Sequence, residues 1–341
     1  MYPFTAVVGQ EEMKQALVLN TVYPEIGGVL IRGEKGTAKS TTVRALADLL
    51  PNREVVKGCS CGCTWNEWGV ACPECREKAE KGTAEKAILP MSVVELPLSS
   101  TEDRVAGTMD IEHAISTGKK KFEPGILAKA NGNILYVDEV NLLDDHIVDL
   151  LLDAAAMGVN YIEREGISYS HPSKFMLVGT MNPEEGDLRP QLLDRFGLMV
   201  DVKGERDEAK RLEVIRRRVA FERDPEGFCE QYEESNADLR NRIVEARKSV
   251  RKMEPSDSVL RAAVTVSLRI GVEGHRADLT MVRTACAKAA LDGREEPEPR
   301  DVVDVCRMVL SHRMRKGPFQ ESRLDPEVLK IWLKDITEPT Q

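Results

Sequence analysis

The sequence has few aromatic residues, no long apolar run and no signal for export, and each absence excludes a class of protein. Phe, Trp and Tyr make up 5% of the 341 residues, so the cores must be built mainly from aliphatic side chains and Met. No apolar run approaches the roughly 20 residues that span a bilayer. The N-terminus, from Met1 to Thr5, has neither the basic nor the apolar region of a signal peptide. We therefore expect a soluble, cytoplasmic protein.

The chain also has no excess of positive charge and few histidines. Its formal net charge is −9, which argues against a protein that coats nucleic acid through bulk electrostatics. The five histidines show no spacing typical of metal ligands. Hydrophobic residues make up 42% and charged residues 31%, which is a globular rather than a disordered composition.

Strand-like and helical segments alternate up to about residue 203. Short apolar runs separated by amphipathic helices predict a parallel sheet with helices on both faces. The predicted strands are Val29–Ile31, Met91–Leu96, Ile134–Val137, Phe175–Val178 and Leu198–Val202, and the first helix after the opening strand is Thr41–Leu50. Beyond Lys203 we predict helices at about 205–223, 238–253, 257–270, 279–291 and 299–315. We expect an α/β domain at 1–203 and a separate all-α domain at 204–341.

A glycine-rich segment joins the first predicted strand to the first helix. Glycines allow backbone N–H groups to turn inward around phosphate oxygens, and a helix N-terminus favours an anion. Lys39 is placed to reach the β- and γ-phosphates and Ser40 to bind Mg²⁺. Alanine stands at position 38, where the usual pattern has glycine. The alternative is an ordinary strand-to-helix turn. The predicted nucleotide-binding residues are Gly33, Glu34, Lys35, Gly36, Thr37, Ala38, Lys39, Ser40 and Thr41.

Polar residues follow two later strands and one later helix. Asp138 and Glu139 end the strand Ile134–Val137, where the first acid is suited to hold Mg²⁺ and the second to orient the attacking water. Asn182 ends another strand and is placed to contact the γ-phosphate or that water. Arg195 follows a short helix. Taken singly, Asn182 is typical of a turn and Arg195 of a surface ion pair, but their order along the chain favours nucleotide hydrolysis.

This order of motifs resembles the AAA+ ATPases, and within them the small ATPase subunits of magnesium chelatase, known as subunit I. The resemblance covers nearly the whole chain outside Pro51 to Lys86. The stretches that carry it are 4–11, 101–108, 122–127, 136–143, 179–197 and 274–278. It implies a P-loop AAA+ sheet sandwiched by helices and followed by a helical lid.

The resemblance also implies residue roles and partners. Asn182 would be sensor 1, Arg195 an arginine finger that acts on a neighbouring subunit, and Arg276 a lid-borne sensor 2. The cofactors would be ATP and Mg²⁺, the latter held by Ser40 and Asp138. The chain would form a homo-oligomeric ring, commonly a hexamer. The ring would dock with an integrin-domain AAA+ subunit and act on a large tetrapyrrole-binding subunit into which the metal is inserted.

A cysteine-rich insert at about 57–80 departs from that family's pattern. It contains five of the eight cysteines, Cys59, Cys61, Cys63, Cys72 and Cys75. Clustered cysteines in a cytosolic chain are more typical of a metal site than of disulfides. Four of the five thiolates suffice for a tetrahedral zinc site, so we predict a structural zinc. An iron–sulfur cluster and unliganded or redox-active thiols are the alternatives.

Four other functions are compatible with parts of this pattern. A cobalt chelatase of corrinoids would use the same ATPase residues as a magnesium chelatase. A related AAA+ ATPase that remodels and matures another enzyme would differ in its partner. A nucleic-acid motor is disfavoured by the net charge of −9. A nucleotide-binding scaffold without activity is disfavoured by the presence of Glu139.

Overall fold

The computed structural model describes residues 1–34, 36–109, 122–164, 167–272 and 274–314, together with Val328, Ile331 and Trp332. The chain divides into two compact units, one made of Met1–Leu49 with Met181–Gln341 and the other of Leu50–Thr180. Within the described ranges, no helix combines the length and the apolar character that crossing a membrane requires.

The largest sheet has five strands, and its hydrogen-bonded order is β11–β1–β10–β7–β4. The pairs β1–β11, β7–β10 and β4–β7 are parallel. Three two-stranded antiparallel ribbons, β2–β3, β5–β6 and β8–β9, complete the described strands. The strands are β1 (Val29–Gly33), β2 (Arg53–Val56), β3 (Lys86–Leu89), β4 (Val93–Glu95), β5 (Gly107–Met109), β6 (Phe122–Pro124), β7 (Ile134–Val137), β8 (Val159–Arg164), β9 (Ile167–Pro172), β10 (Met176–Met181) and β11 (Leu198–Val202).

The predicted α/β fold with a parallel sheet and a helical C-terminal region is confirmed. β7 and β10 are buried along their whole length, which explains why both appear in the sequence as continuous apolar runs. The helices are α1 (Glu11–Val22), α2 (Lys39–Leu49), α3 (Pro73–Glu80), α4 (Glu102–Ala106), α5 (Ile126–Ala130), α6 (Asp145–Met157), α7 (Pro190–Leu193), α8 (Glu208–Arg223), α9 (Pro225–Glu230), α10 (Glu233–Ser249), α11 (Asp257–Ile270), α12 (His275–Leu291) and α13 (Pro299–Leu310).

Helix ends differ from the predicted ones where capping decides the boundary. α8 begins at Glu208 because the Asp207 side chain accepts the backbone N–H of Lys210 and so caps the helix. α12 begins at His275, one turn before the predicted start, directly after Gly274 with its left-handed φ of +92°. The periodicity of apolar residues indicates which part of a helix is buried. It does not indicate where the helix begins, because these capping residues lie outside the apolar stripe.

Candidate functional site

The predicted phosphate loop lies in the first unit, between the end of β1 and the start of α2. Lys39 is the first residue of α2, and its Nζ donates to the carbonyl oxygens of Gly33 at 2.6 Å and Glu34 at 2.9 Å. Thr37 Oγ1 donates to the same Glu34 oxygen at 2.9 Å. The ammonium group therefore lies against the loop backbone, where phosphate oxygens can replace the carbonyls as its partners. Lys35, also predicted to bind nucleotide, lies outside the described residues.

Three small residues permit the path of this loop for different reasons. Gly36 and Ala38 have φ angles of +80° and +61°, in the left-handed region. Gly33 has no such angle; instead, a Cβ at this position would lie 2.1 Å from the Val202 carbonyl oxygen of β11. The sequence interpretation gave Gly33 a role at the phosphate, and the structure adds that β1 requires glycine there to pack against β11.

The first turn of α2 presents backbone N–H groups that have no partner within the helix, as every helix N-terminus does. Ser40 is exposed and Thr41 half-buried at this turn. Thr42 is buried, and both its backbone N–H and its Oγ1 donate to the Ala38 carbonyl at 2.9 Å. Thr42 therefore ties the loop to the helix, a role for which the sequence alone gave no signal.

The predicted acidic pair lies in the second unit at the end of β7. Asp138 Oδ1 accepts hydrogen bonds from Thr180 Oγ1 at 2.5 Å and from the Tyr136 hydroxyl at 3.1 Å. The backbone N–H of Glu139 donates to the same Thr180 oxygen at 3.0 Å. Glu139 has a φ of +52°, so its backbone turns sharply out of the strand. Burial, followed by the charge of Asp138, raises the pKa of Tyr136.

Thr180 was missed as a functional residue by the sequence interpretation. The parallel register pairs Val137 of β7 with Gly179 of β10, so the next residue of each strand, Asp138 and Thr180, fall side by side. A register signal of this kind becomes visible only once the two strands are known to be neighbours.

Asn182 and Arg195 lie in the first unit. Asn182 is buried, and its Oδ1 accepts the backbone N–H of Glu184 at 3.3 Å, capping the short turn Pro183–Glu185. This hydrogen bond uses the amide oxygen of Asn182. Arg195 is half-buried just after α7.

Arg276, in the first turn of α12, forms an ion pair with Asp194, which directly precedes Arg195 in the chain. Arg276 Nη1 lies 2.9 Å from Asp194 Oδ2. The other carboxylate oxygen of Asp194 lies 3.0 Å from Nε of Arg313, whose side chain is 2% exposed. Arg313 also donates to the carbonyl oxygens of Asp194 and Phe196 at 2.9 and 2.7 Å. A buried arginine therefore holds the turn that carries Asp194 and Arg195.

Four of the five clustered cysteines converge in the second unit. The Sγ atoms of the four, Cys59, Cys63, Cys72 and Cys75, all lie within 4.8 Å of one another. All five thiols are free, and Cys61 is buried beside this group with its Sγ 4.0 Å from Ser60 Oγ. Hydrogen bonds from neighbouring thiols, those of Cys61 and Cys63 first, hold the pKa of Cys59 below its ordinary value. Such an arrangement of soft donors suits one tetrahedral metal ion.

Comparisons with known proteins give one consistent family. An AAA domain of the dynein-related subfamily matches residues 84–196, and an AAA lid domain matches residues 260–331. The magnesium-chelatase subunit ChlI homolog of Methanocaldococcus jannaschii is 56% identical over 338 residues, which cover 99% of this chain and 92% of that protein. The magnesium-chelatase 38 kDa subunit of Cereibacter sphaeroides is 49% identical over 321 residues, covering 94% of each chain.

A solved structure agrees with these relatives. It is a chain from the complex between subunits BchI and BchD of magnesium chelatase, with 48% identity and a TM-score of 0.55. The match covers 95% of this chain and 99% of the other. The resemblance found in the sequence is therefore confirmed over nearly its full length. The chain belongs to the ChlI/BchI family of magnesium-chelatase AAA ATPase subunits.

Proposed function

We propose that this chain hydrolyses ATP as the small AAA subunit of a metal chelatase and thereby drives insertion of a metal ion into a tetrapyrrole. The single observation that carries the proposal is the 56% identity to a ChlI homolog over 338 residues. The metal ion inserted is a substrate of the large catalytic subunit, and we assign no tetrapyrrole site to this chain.

The nucleotide is held by two groups of residues. Lys39 and the backbone N–H groups at the start of α2 bind the β- and γ-phosphates, and Gly36 provides the left-handed turn around them. Ser40 and Asp138 hold Mg²⁺, for which hydroxyl and carboxylate oxygens are fitting ligands. The Asp138 carboxylate suits this role because two hydroxyl donors, of Thr180 and Tyr136, fix its orientation. Mg²⁺ supplies positive charge that neutralises the phosphate oxygens.

The remaining residues act on the attacking water and the developing charge. Glu139 orients the water and accepts its proton, and the Asn182 amide holds the γ-phosphate or the water. Arg195 reaches the nucleotide of a neighbouring subunit and spreads the transition-state charge, which for such arginines is worth about 10³–10⁵ in rate. Arg276 contributes a second positive charge from the helical lid. These roles are carried over from the matching motifs of the family.

The assembly follows from an arginine supplied in trans. A head-to-tail contact between identical subunits closes into a ring, and we propose a hexamer in the cytoplasm. The solved relative comes from a complex of BchI with BchD, so a BchD-like, integrin-domain AAA subunit is the proposed partner. The third component is a large tetrapyrrole-binding subunit. Within this chain we assign residues 1–203 to the ATPase domain and 204–341 to the lid.

We also propose that the cysteine insert binds one structural zinc ion. The support is the convergence of four sulfurs within 4.8 Å of one another.

The test is affinity purification of the tagged protein from its native cells with ATP and Mg²⁺, with partners identified by mass spectrometry. A Lys39→Ala variant, unable to hold the phosphates, is the matched control. Recovery of an integrin-domain AAA protein and a very large chelatase subunit supports the proposal, and the identity of the large subunit separates porphyrin from corrinoid. Recovery of an unrelated enzyme instead would replace the proposal with ATP-driven maturation of that enzyme.

A further inference from the structure

The sulfur positions match those of ligands around a single metal ion. Cys59 Sγ and Cys72 Sγ are 3.8 Å apart. Four sulfurs at about 2.3 Å from one zinc ion lie about 3.8 Å from each other, because that is the edge of the tetrahedron. A disulfide would require about 2.05 Å. A cluster of several iron atoms would hold its four cysteines farther apart than one ion does.

The backbone around these cysteines supports negatively charged sulfur. The N–H of Cys63 points to Cys59 Sγ at 3.5 Å, and the N–H of Cys72 points to Cys63 Sγ at 3.3 Å. Hydrogen bonds of this kind stabilise a thiolate over a thiol. The loop that carries the first two ligands turns at Gly58 and Gly62, whose φ angles are +70° and +56°. Chain geometry, and not spacing alone, thus brings the ligands together.

Cys61 differs from the four proposed ligands in its position and in its contacts. It is fully buried, whereas one of the ligands, Cys59, is half-buried. The Cys61 Sγ lies outside the set of sulfurs that are within 4.8 Å of one another. Its backbone carbonyl accepts a hydrogen bond from Asn131 Nδ2 at 3.0 Å, and Gly62 accepts another from the same nitrogen at 2.9 Å. The middle of the ligand loop is therefore a docking point for Asn131.

Asn131 lies in the turn that leads into β7. Its Oδ1 accepts the backbone N–H of Lys174, just before β10, at 3.0 Å. Its carbonyl accepts Nη1 of Arg53, on β2, at 2.8 Å. The Asn131 side chain thus connects the cysteine loop to the residue before β10, and the Asn131 carbonyl connects the turn before β7 to β2. Asp138 and Thr180 lie at the carboxyl-terminal ends of β7 and β10.

We infer that Cys59, Cys63, Cys72 and Cys75, without Cys61, bind one zinc ion, and that the ion fixes the turn at Asn131 from which the acidic strand begins. The inference rests on the structural zinc proposed above and names its ligands and its mechanical role. It does not depend on the ATPase function, because the ligand set is tested by metal analysis and the turn by hydrogen exchange. Neither experiment measures ATP hydrolysis.

The ligand set is tested by metal analysis of the purified full chain and its variants. We expect about one zinc per chain in the wild type and a roughly tenfold or greater loss in Cys59→Ser, Cys63→Ser, Cys72→Ser and Cys75→Ser. The control is Cys61→Ser, because Cys61 is a buried cysteine of the same segment that is not a proposed ligand. We expect this variant to retain zinc. Replacement of zinc by Co²⁺ in the wild type gives the intense visible spectrum of tetrahedral thiolate coordination, and this arm is independent of whether any variant folds.

The mechanical role is tested by hydrogen exchange with and without removal of the metal by a chelator. We expect faster exchange in peptides covering 55–63 and 131–137, and unchanged exchange in the helices between Asp257 and Leu310. Those helices report whether the rest of the chain stays folded. Unchanged exchange at 131–137 after complete metal removal would overturn the coupling to Asn131.

The outcomes separate the two levels of the proposal. A wild type without zinc, or with iron in its place, overturns both the proposed zinc and its ligand set. Zinc that is lost equally from Cys61→Ser, or retained by any of the four ligand variants, overturns the ligand set alone. Neither result bears on the proposed chelatase function, which the partner purification tests by itself.

Discussion

Asp194 holds two arginines at once, Arg276 through Oδ2 at 2.9 Å and Arg313 through Oδ1 at 3.0 Å. The two arginines differ in exposure. The side chain of Arg276 is 54% exposed, whereas that of Arg313 is 2% exposed. One carboxylate thus forms a solvent-screened ion pair and a buried one, and the two contributions to stability can be measured separately.

We expect Asp194→Ala to lower the free energy of unfolding by about 1–3 kcal/mol, because it removes a charged acceptor from the buried Arg313. Arg276→Ala, which deletes only the exposed pair, should cost less than about 1 kcal/mol. Denaturant titration of both variants provides the measurement. Equal losses in the two variants would contradict the unequal roles given to the two arginines.

Glu139 leaves β7 with a backbone that Thr180 fixes through the Glu139 N–H. We expect Glu139→Gln to retain ATP binding and to lose about 10²–10⁴ in turnover, because the amide cannot accept the proton of the attacking water. Phosphate release and nucleotide retention measure the two effects. Glu184→Gln, an exposed glutamate near Asn182, is the control and should hydrolyse ATP at the wild-type rate. Wild-type turnover in Glu139→Gln would refute the role of Glu139.

Ala38 occupies the left-handed region at φ +61°, where its Cβ is unfavourable. Ala38→Gly should therefore raise the free energy of unfolding by about 0.5–1 kcal/mol, the relief of strain exceeding the added entropy of the unfolded chain. Ala220→Gly, at an exposed position inside α8, should instead lower it by about 1 kcal/mol. Thermal or denaturant unfolding measures both. Two changes of the same sign would show that Ala38 is not strained.

His312 Nε2 donates to the Phe196 carbonyl at 3.0 Å, and burial followed by the charge of Arg313 lowers the pKa of His312 to about 3. The unfolded chain binds a proton at this residue below about pH 6.5, whereas the folded chain stays neutral to about pH 3. Stability is therefore lost as the pH falls, by up to about 1.4 kcal/mol per pH unit between about pH 6 and pH 4.

The measurement compares unfolding of the wild type and His312→Gln across that range. The difference between the two curves isolates His312, because His171, whose pKa is also lowered by burial, is present in both. The difference in the free energy of unfolding between the wild type and the variant should change by up to about 1.4 kcal/mol per pH unit between about pH 6 and pH 4. Parallel curves would contradict a neutral, buried His312.

The sequence predicted those features that depend on the type of residue at a position and on its neighbours along the chain. The glycine-rich loop, the buried strands and the acids at the end of β7 could be placed because each depends on local composition. The roles of Thr180 and Arg313 depend on which strands and turns are neighbours, so spacing along the chain carries no signal for them. The sequence predicted that Gly33 binds phosphate, whereas in the structure the close contact that requires glycine is with the Val202 carbonyl oxygen.

In the cysteine insert, too, the sequence predicted the kind of site but not the contacts within it. Five cysteines predicted a metal site, but their spacing could not say which four sulfurs converge. That depends on two left-handed glycines and on the start of α3, which bring Cys63 and Cys72 together although eight residues separate them.

The cluster that contains these cysteines has a consequence for engineering the domain. In the sequence, residues 57–80 are an insert that departs from the family's pattern. Their side chains nevertheless form one continuous apolar cluster with Ala106, Phe122, Ala128 and Ile162 from four other segments. A truncated gene lacking the insert would open these residues to water and leave Asn131 without two of its acceptors. The insert and the domain that carries it therefore share one hydrophobic core.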